Sequence, residues 1–109
     1  MIRFVAWAAC LLAASRLAYA QPYPHKPVRV IFPFAAGGAG DILARTYGQK
    51  FAEKFGQGWV LDNRGGAGST LGTDIVAKSA PDGYTLLLGS LTFAVSAATF
   101  AKLPYDPVR

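Results

Sequence analysis

The chain has one cysteine, Cys10, and one histidine, His25, in 109 residues. Cys10 falls in a segment that reads as a removable leader, so the rest can form no internal disulfide, offer no thiolate to a metal and supply no thiol nucleophile. His25 stands alone in a proline-rich stretch without a second ligand at metal spacing. Ser69 and Ser90 therefore have no histidine base in view, and Gly-x-Ser-x-Gly is absent. No Gly-Lys-Ser/Thr triplet follows a glycine loop, which removes a P-loop. Asp41, Asp62 and Asp74 lie on different predicted elements, where they serve as helix-start acid, strand-end turn former and exposed helix residue, not as a catalytic carboxylate pair. Neither catalysis, a cofactor nor a metal is expected.

Charge of one sign is also scarce. With Arg3 and Arg16 of the leader set aside, nine basic side chains face six acidic ones, and Lys50, Lys54, Lys78 and Lys102 are spread out. Nucleic-acid binding wants a basic stripe interleaved with aromatics, so nucleic acid is not an expected partner.

No apolar run reaches the roughly 20 residues that a membrane-spanning helix needs. Arg3, the short apolar stretch from Phe4 to Ala14 and the Ala18-Tyr19-Ala20 signal have the anatomy of a secretory leader, with Arg16 interrupting the run. The cut is expected between Ala20 and Gln21. Trp7-Ala8-Ala9 is a poor lipobox, so Cys10 is not read as a lipid anchor. Residues 21–109 form one small domain at most. The run from Leu103 to Arg109 brings no closing element and reads as a truncated chain.

What is present is a pair of glycine-rich loops, Phe34-Ala-Ala-Gly-Gly-Ala-Gly-Asp41 and Asn63-Arg-Gly-Gly-Ala-Gly-Ser69. Each lies between a strand-type run and a helix-type run. Small residues let backbone N–H groups approach a ligand, and a helix start adds partial positive charge, so the pair suits an anion. Val28 to Phe34 reads as a buried parallel strand. A helix is expected from Asp41 to Phe55, with Leu43, Ala44, Tyr47, Gly48, Phe51 and Phe55 inward. A second strand follows at Trp59 to Leu61, a helix near Thr70 to Ala80 with Leu71, Ile75 and Val76 inward, and a third strand at Tyr84 to Leu88. Gln21 to Pro27 reads as a poorly ordered lead-in.

The order β-α-β-α-β, with right-handed crossovers, starts a doubly wound parallel sheet in which ligands sit beyond the carboxyl ends of the strands. Both loops and Gly89-Ser90 fall there. A dinucleotide fold is the nearest rival, because Gly38-Ala-Gly40 follows a strand and Asp62 ends the next one. Its third glycine position holds Leu43 instead.

Taken together, the segments from Lys26 to Asp41, Ala44-Arg45, Asp62 to Gly68, Ala80 to Gly89 and Lys102 to Val108 resemble the extracytoplasmic solute-binding receptors of tripartite tricarboxylate transporters, the Bug family. The resemblance implies an α/β fold of the periplasmic-binding-protein type II class, two lobes in about 300 residues, of which residues 21–109 would be the first part of lobe one. It implies a periplasmic, non-enzymatic receptor that is monomeric when full length and hands a small organic carboxylate, of tricarboxylate or dicarboxylate type, to membrane permease subunits. Carried onto this chain, the ligand-binding positions are Phe34, Ala36, Gly37, Gly38 and Asp41 in the first loop and Gly66, Ala67, Gly68 and Ser69 in the second, with Ser90 at the end of the third strand. Asp41 is expected to hold its loop or to reach the ligand through water, and Arg64 to be structural or a carboxylate clamp. Two departures stand out: Gly65 replaces a common proline, and Ser69 a common glycine. A secreted nucleotide-linked enzyme and a ligand-sensing partner of a membrane kinase remain as alternatives.

Overall fold

The computed structural model describes residues 20–108. The expected leader, residues 1–20, lies outside them but for Ala20. Three parallel strands form the sheet: β1 (Val28–Phe32), β2 (Trp59–Asn63) and β3 (Thr85–Leu87), in the order β2-β1-β3. The strands begin in aligned register, Val28 opposite Trp59 and Arg29 opposite Thr85. The central strand is β1, and its β-branched Val28, Val30 and Ile31 are the largest fully buried side chains. A strand covered on both faces reads as a near-continuous apolar run, and in β1 Arg29 is the one interruption.

The ladder continues past the strand ends. Arg64 N–H donates to the Phe32 carbonyl and Leu88 N–H to the Ile31 carbonyl, both at 2.9 Å. These bonds tie the starts of the second and third loops to the carboxyl rim of β1.

Helix α1 (Ala39–Phe55) begins two residues before the expected Asp41 and ends at Gly56, whose φ of 68° makes the left-handed cap that releases the chain. Its seam is narrower than the amphipathic pattern suggests. Asp41, Ala44 and Gly48 are buried, while Leu43 and Tyr47 stay 56% and 59% exposed. Small residues win the seam because the helix sits close: a Cβ on Gly40 would stand 2.6 Å from the Phe32 ring, and one on Gly48 2.9 Å from Trp59. Leu43 and Tyr47 are thereby left overhanging the side of the helix.

A turn at Ala67–Ser69 leads into α2 (Thr70–Ala77), which buries Thr70, Gly72 and Thr73. The expected inward Leu71 is half exposed instead, at 49%, because Gly72 is the residue that meets Pro33 and the Arg64 carbonyl. Phe32 and Pro33 alternate across the pleat, so α1 over Phe32 and α2 over Pro33 lie on opposite faces. That is the doubly wound arrangement.

The short α3 (Leu91–Thr99) is an element that the sequence reading does not anticipate, capped by the Ser90 hydroxyl accepting from Thr92 N–H at 3.2 Å. The proline-rich lead-in is also better held than expected. Tyr23 donates to the Gly83 carbonyl at 2.6 Å, and His25 bonds the Tyr84 hydroxyl through both its backbone N–H and Nδ1. Tyr23 packs on Tyr84 with ring centroids 5.1 Å apart, which supplies the apolar anchor. Among the described residues no helix is long and apolar enough to cross a membrane, and no cluster of metal-ligating side chains occurs.

Candidate functional site

The two glycine loops leave the carboxyl ends of β1 and β2 and meet backbone to backbone. A Cβ on Gly65 would lie 3.2 Å from the Ala35 nitrogen and 3.3 Å from the Phe34 carbonyl carbon. That closeness requires glycine or an equally compact backbone on one side. Asn63 couples the loops through its side chain, with Nδ2 donating to Asp41 Oδ1 at 3.0 Å and to the Phe34 carbonyl at 3.3 Å.

Asp41 is the polar hub of the first loop. Its Oδ2 accepts from Gly37 N–H and from Arg45 Nε, each at 3.1 Å, and its Oδ1 from Asn63. The Arg45 guanidinium foremost, then the Gly37 amide and the Asn63 amide, hold its carboxyl below the ordinary aspartate value of 3.8. This carboxylate is fully engaged inside the protein, so its negative charge is matched before any anion arrives. Through these bonds Asp41 ties the first loop to α1 and to Asn63.

Two hollows open on either side of the Phe34-Ala35 ridge. One, of about 470 Å³, is lined by Phe32, Phe34, Gly38, Asp41, Leu88 and Ser90, with Gly40, Leu43 and Tyr47 along its wall. It brings the α1 N-terminus and the end of β3 together. The other, of about 510 Å³, lies between the loops and is lined by Pro33, Phe34, Ala35, Gly65, Gly66, Gly68, Ser69 and Thr92. Phe34, Gly38, Asp41 and Ser90 thus share the first hollow, and Phe34, Gly66, Gly68 and Ser69 the second. Ala36, Gly37 and Ala67 border neither.

The α1 N-terminus is open. Gly38 is its N-cap, in extended conformation, without a side-chain cap and with nothing within 4 Å of where a Cβ would stand. Asp41 N–H and Ile42 N–H both turn back to the Gly38 carbonyl, at 3.0 and 3.2 Å. The first-turn amides before them are the orphan donors of a helix start, where a macrodipole favours negative charge.

Arg64 and Asp62 belong to a different network. Arg64 Nε donates to Asp62 Oδ1 at 2.8 Å, and Arg29 Nε to Asp62 Oδ2 at 3.1 Å. Arg29 first, then Arg64, lowers the Asp62 pKa against the opposing effect of desolvation. Arg64 is thereby turned to structure, and Asp62 is occupied by two guanidinium groups where a ribose would need it free. His25, bonded to Tyr84 before β3, sits at the end of the sheet away from Ser69 and Ser90.

The sequence reading passes over two residues of this site. Asn63 carries the signal of an amide ending an apolar strand beside a glycine loop. Ser96, buried in the apolar run of α3, donates to the Gly68 carbonyl at 3.0 Å.

Comparison with known proteins gives a consistent picture. The family model described as tripartite tricarboxylate transporter family receptor matches residues 43–109. Protein BugT of Bordetella pertussis is 44% identical over 88 residues, covering 79% of this chain and 27% of that protein. Among solved structures, MatC from Rhodopseudomonas palustris with bound malate superposes with a TM-score of 0.72 at 43% identity, over 78% of this chain and 29% of that one. An R. palustris protein with adipate gives 0.71 at 33% identity, again over 78% and 29%. The chain spans a quarter to a third of the length of the curated relatives it matches.

Proposed function

Since the chain belongs to the tripartite tricarboxylate transporter receptor family, we propose that it is the first-lobe, ligand-gripping part of a periplasmic receptor for a small organic carboxylate. Residues 21–109 supply one wall of the site, and the remainder of the receptor closes the other. The observation that carries this reading is the pair of glycine loops locked together by Asn63 and Asp41 at the carboxyl rim of a parallel sheet. The α1 start and the two glycine loops border hollows there, and the nearest carboxylate is already neutralised by Arg45 and two amide donors. Such a rim favours an anion over a cation or a neutral solute.

The neighbours support the class of ligand: one is solved with bound malate and another with adipate, both dicarboxylates. Phe34, Gly38, Gly66, Gly68, Ser69 and Ser90 are the proposed contact residues, with Ala36, Gly37 and Ala67 shaping the loops and Asp41 holding them. The receptor acts by binding and release without catalysis, and passes its ligand to membrane permease subunits.

Isothermal titration of the full-length protein with malate, adipate and citrate tests this. Saturable one-to-one binding of at least one acid is expected. Failure to bind any of the three, together with binding of a neutral sugar or a nicotinamide nucleotide, would replace the reading.

A further inference from the structure

Ala67, Gly68 and Ser69 have φ values of 50°, 63° and 69°, a full left-handed turn in which two of three residues carry a Cβ. Single non-glycine residues in that region are uncommon, and two flanking a glycine persist only where the surroundings over-determine them. Hydroxyls do so here. Thr70 Oγ1 donates to the Ala67 carbonyl at 2.6 Å and Thr73 Oγ1 to the Ser69 carbonyl at 2.9 Å. The Gly68 carbonyl takes two, Ser69 Oγ at 2.6 Å and Ser96 Oγ at 3.0 Å. Three of these four donors come from the turn or the helix it opens. Ser96 comes from α3, 28 residues away in sequence. The Phe100 ring adds a wall, with its Cζ 3.3 Å from where a Gly68 Cβ would stand.

We infer that Ser96 is a positioning residue for the ligand site: its buried hydroxyl anchors the Gly68 carbonyl on α3 and so fixes where the turn of the second glycine loop stands against the hollow. The turn closes on itself by i→i+3 bonds such as Thr70 N–H to the Ala67 carbonyl, so its internal shape is local, and the bond from Ser96 is the one that ties it to a distant element. Gly68 and Ser69 both border the hollow between the loops. A carboxylate held by main-chain amides is sensitive to their aim, because hydrogen bonds weaken steeply as they bend. Ser69, Thr70 and Thr73 keep the turn left-handed, and Ser96 keeps it oriented to the rest of the lobe.

This inference rests on the proposed carboxylate site, and its test separates the two. Full-length Ser96→Ala and Ser96→Thr are compared with wild type by malate, adipate and citrate titration, and by the backbone amide spectrum without ligand. Ser96→Ala is expected to shift the Ser69 amide resonance and to weaken binding about tenfold, the worth of one hydrogen bond, while Ser96→Thr restores both toward wild type. A dispersed spectrum shows that either variant is folded. An unmoved Ser69 amide, or unchanged affinity in Ser96→Ala beside a wild type that binds, overturns the inference alone. A wild type that binds none of the three acids overturns the carboxylate reading and this inference with it.

Discussion

Gly72 is the sharpest point at which the packing can be tested. It lies in the first turn of α2, and a Cβ there would stand 2.9 Å from the Arg64 carbonyl oxygen, 2.9 Å from Pro33 Cβ and 3.1 Å from Pro33 Cα. None of these can swing aside like the end of a long side chain, because two are main chain and the third is a proline ring. Gly72→Ala must therefore lift α2 or part the roots of the two loops. Overpacking of this kind destabilises by about 1–3 kcal/mol, and the better helix propensity of alanine offsets about 0.5–1 kcal/mol, leaving a net loss of roughly 1–2 kcal/mol. With a urea dependence near 1–1.5 kcal/mol/M for a domain of this size, the unfolding midpoint should fall by about 1 M. Ligand affinity should fall as well, since Pro33 and Arg64 begin the two loops. Equilibrium urea denaturation followed by tryptophan fluorescence reads the first effect, because Trp59 sits on β2. A midpoint equal to or above that of the parent chain would refute the close seating of α2 on Pro33 and Arg64.

Gly38→Ser offers the opposite combination. Its backbone is already in N-cap conformation and its surroundings are open, so a serine hydroxyl should cap α1 and raise stability by a few tenths of a kcal/mol. The same side chain enters the hollow beside the helix start, so malate affinity is expected to drop about tenfold, and undiminished binding would take Gly38 out of the site. The pH dependence has a defined sign. Asp41 and Asp62 both titrate below the ordinary 3.8 in the folded chain, so their contribution is present above that value and is lost as pH falls through the depressed folded values. Urea midpoints of wild type should thus decline below about pH 4, and the Asp41→Asn/Asp62→Asn double variant should show a flatter decline. An identical slope in the two proteins would show that these ion pairs do not drive the acid response.

Much of the arrangement is legible in the residues themselves. The β-branched run Val28 to Ile31 announces a central buried strand, and the glycines at 37–40 and 65–68 mark where the chain leaves the sheet. The parallel sheet follows from the crossover rules once the β-α-β-α-β pattern is read, whereas the order β2-β1-β3 is settled by which face each helix covers. The inward faces of the helices are less legible. Hydrophobic periodicity points to Leu43, Tyr47 and Leu71, whereas the seams are made by Ala44, Gly48 and Gly72, because close approach to Phe32, Trp59 and Pro33 outweighs side-chain size. α3 is hidden for a related reason. Its run Leu91 to Ala98 is mostly apolar, with Thr92 and Ser96 the polar residues, and β-branched at Thr92 and Val95, so its helical period is weak and the Ser90 cap marks its start. Asp41 and Arg64 show the limit for single residues. The sequence leans toward structure for both but names no partners, and the fold supplies them: Arg45 and Asn63 for Asp41, Asp62 for Arg64.

The clearest pointer to function is where local rules are broken. An N-cap glycine without a capping side chain gives up stability that serine or aspartate would provide, and left-handed alanine and serine are strained by their Cβ atoms. Gly38, Ala67 and Ser69 are such positions, and Ala67 and Ser69 are the non-glycine residues with positive φ among the described residues. All three lie on the loops at the carboxyl rim of the sheet. The opposite rim keeps its rules: Tyr23 and Tyr84 pack and hydrogen-bond there, and Gly56 takes the left-handed cap that glycine suits. Strain concentrated on one rim, held by Thr70, Thr73 and Ser96, is what a site needs when its donors are main-chain amides, because an amide can be aimed only by bending the chain that carries it. Substituting glycine at both Ala67 and Ser69 should therefore relax the turn and leave stability equal or higher, yet weaken carboxylate binding, and tighter binding in that double variant would show that the strain is incidental.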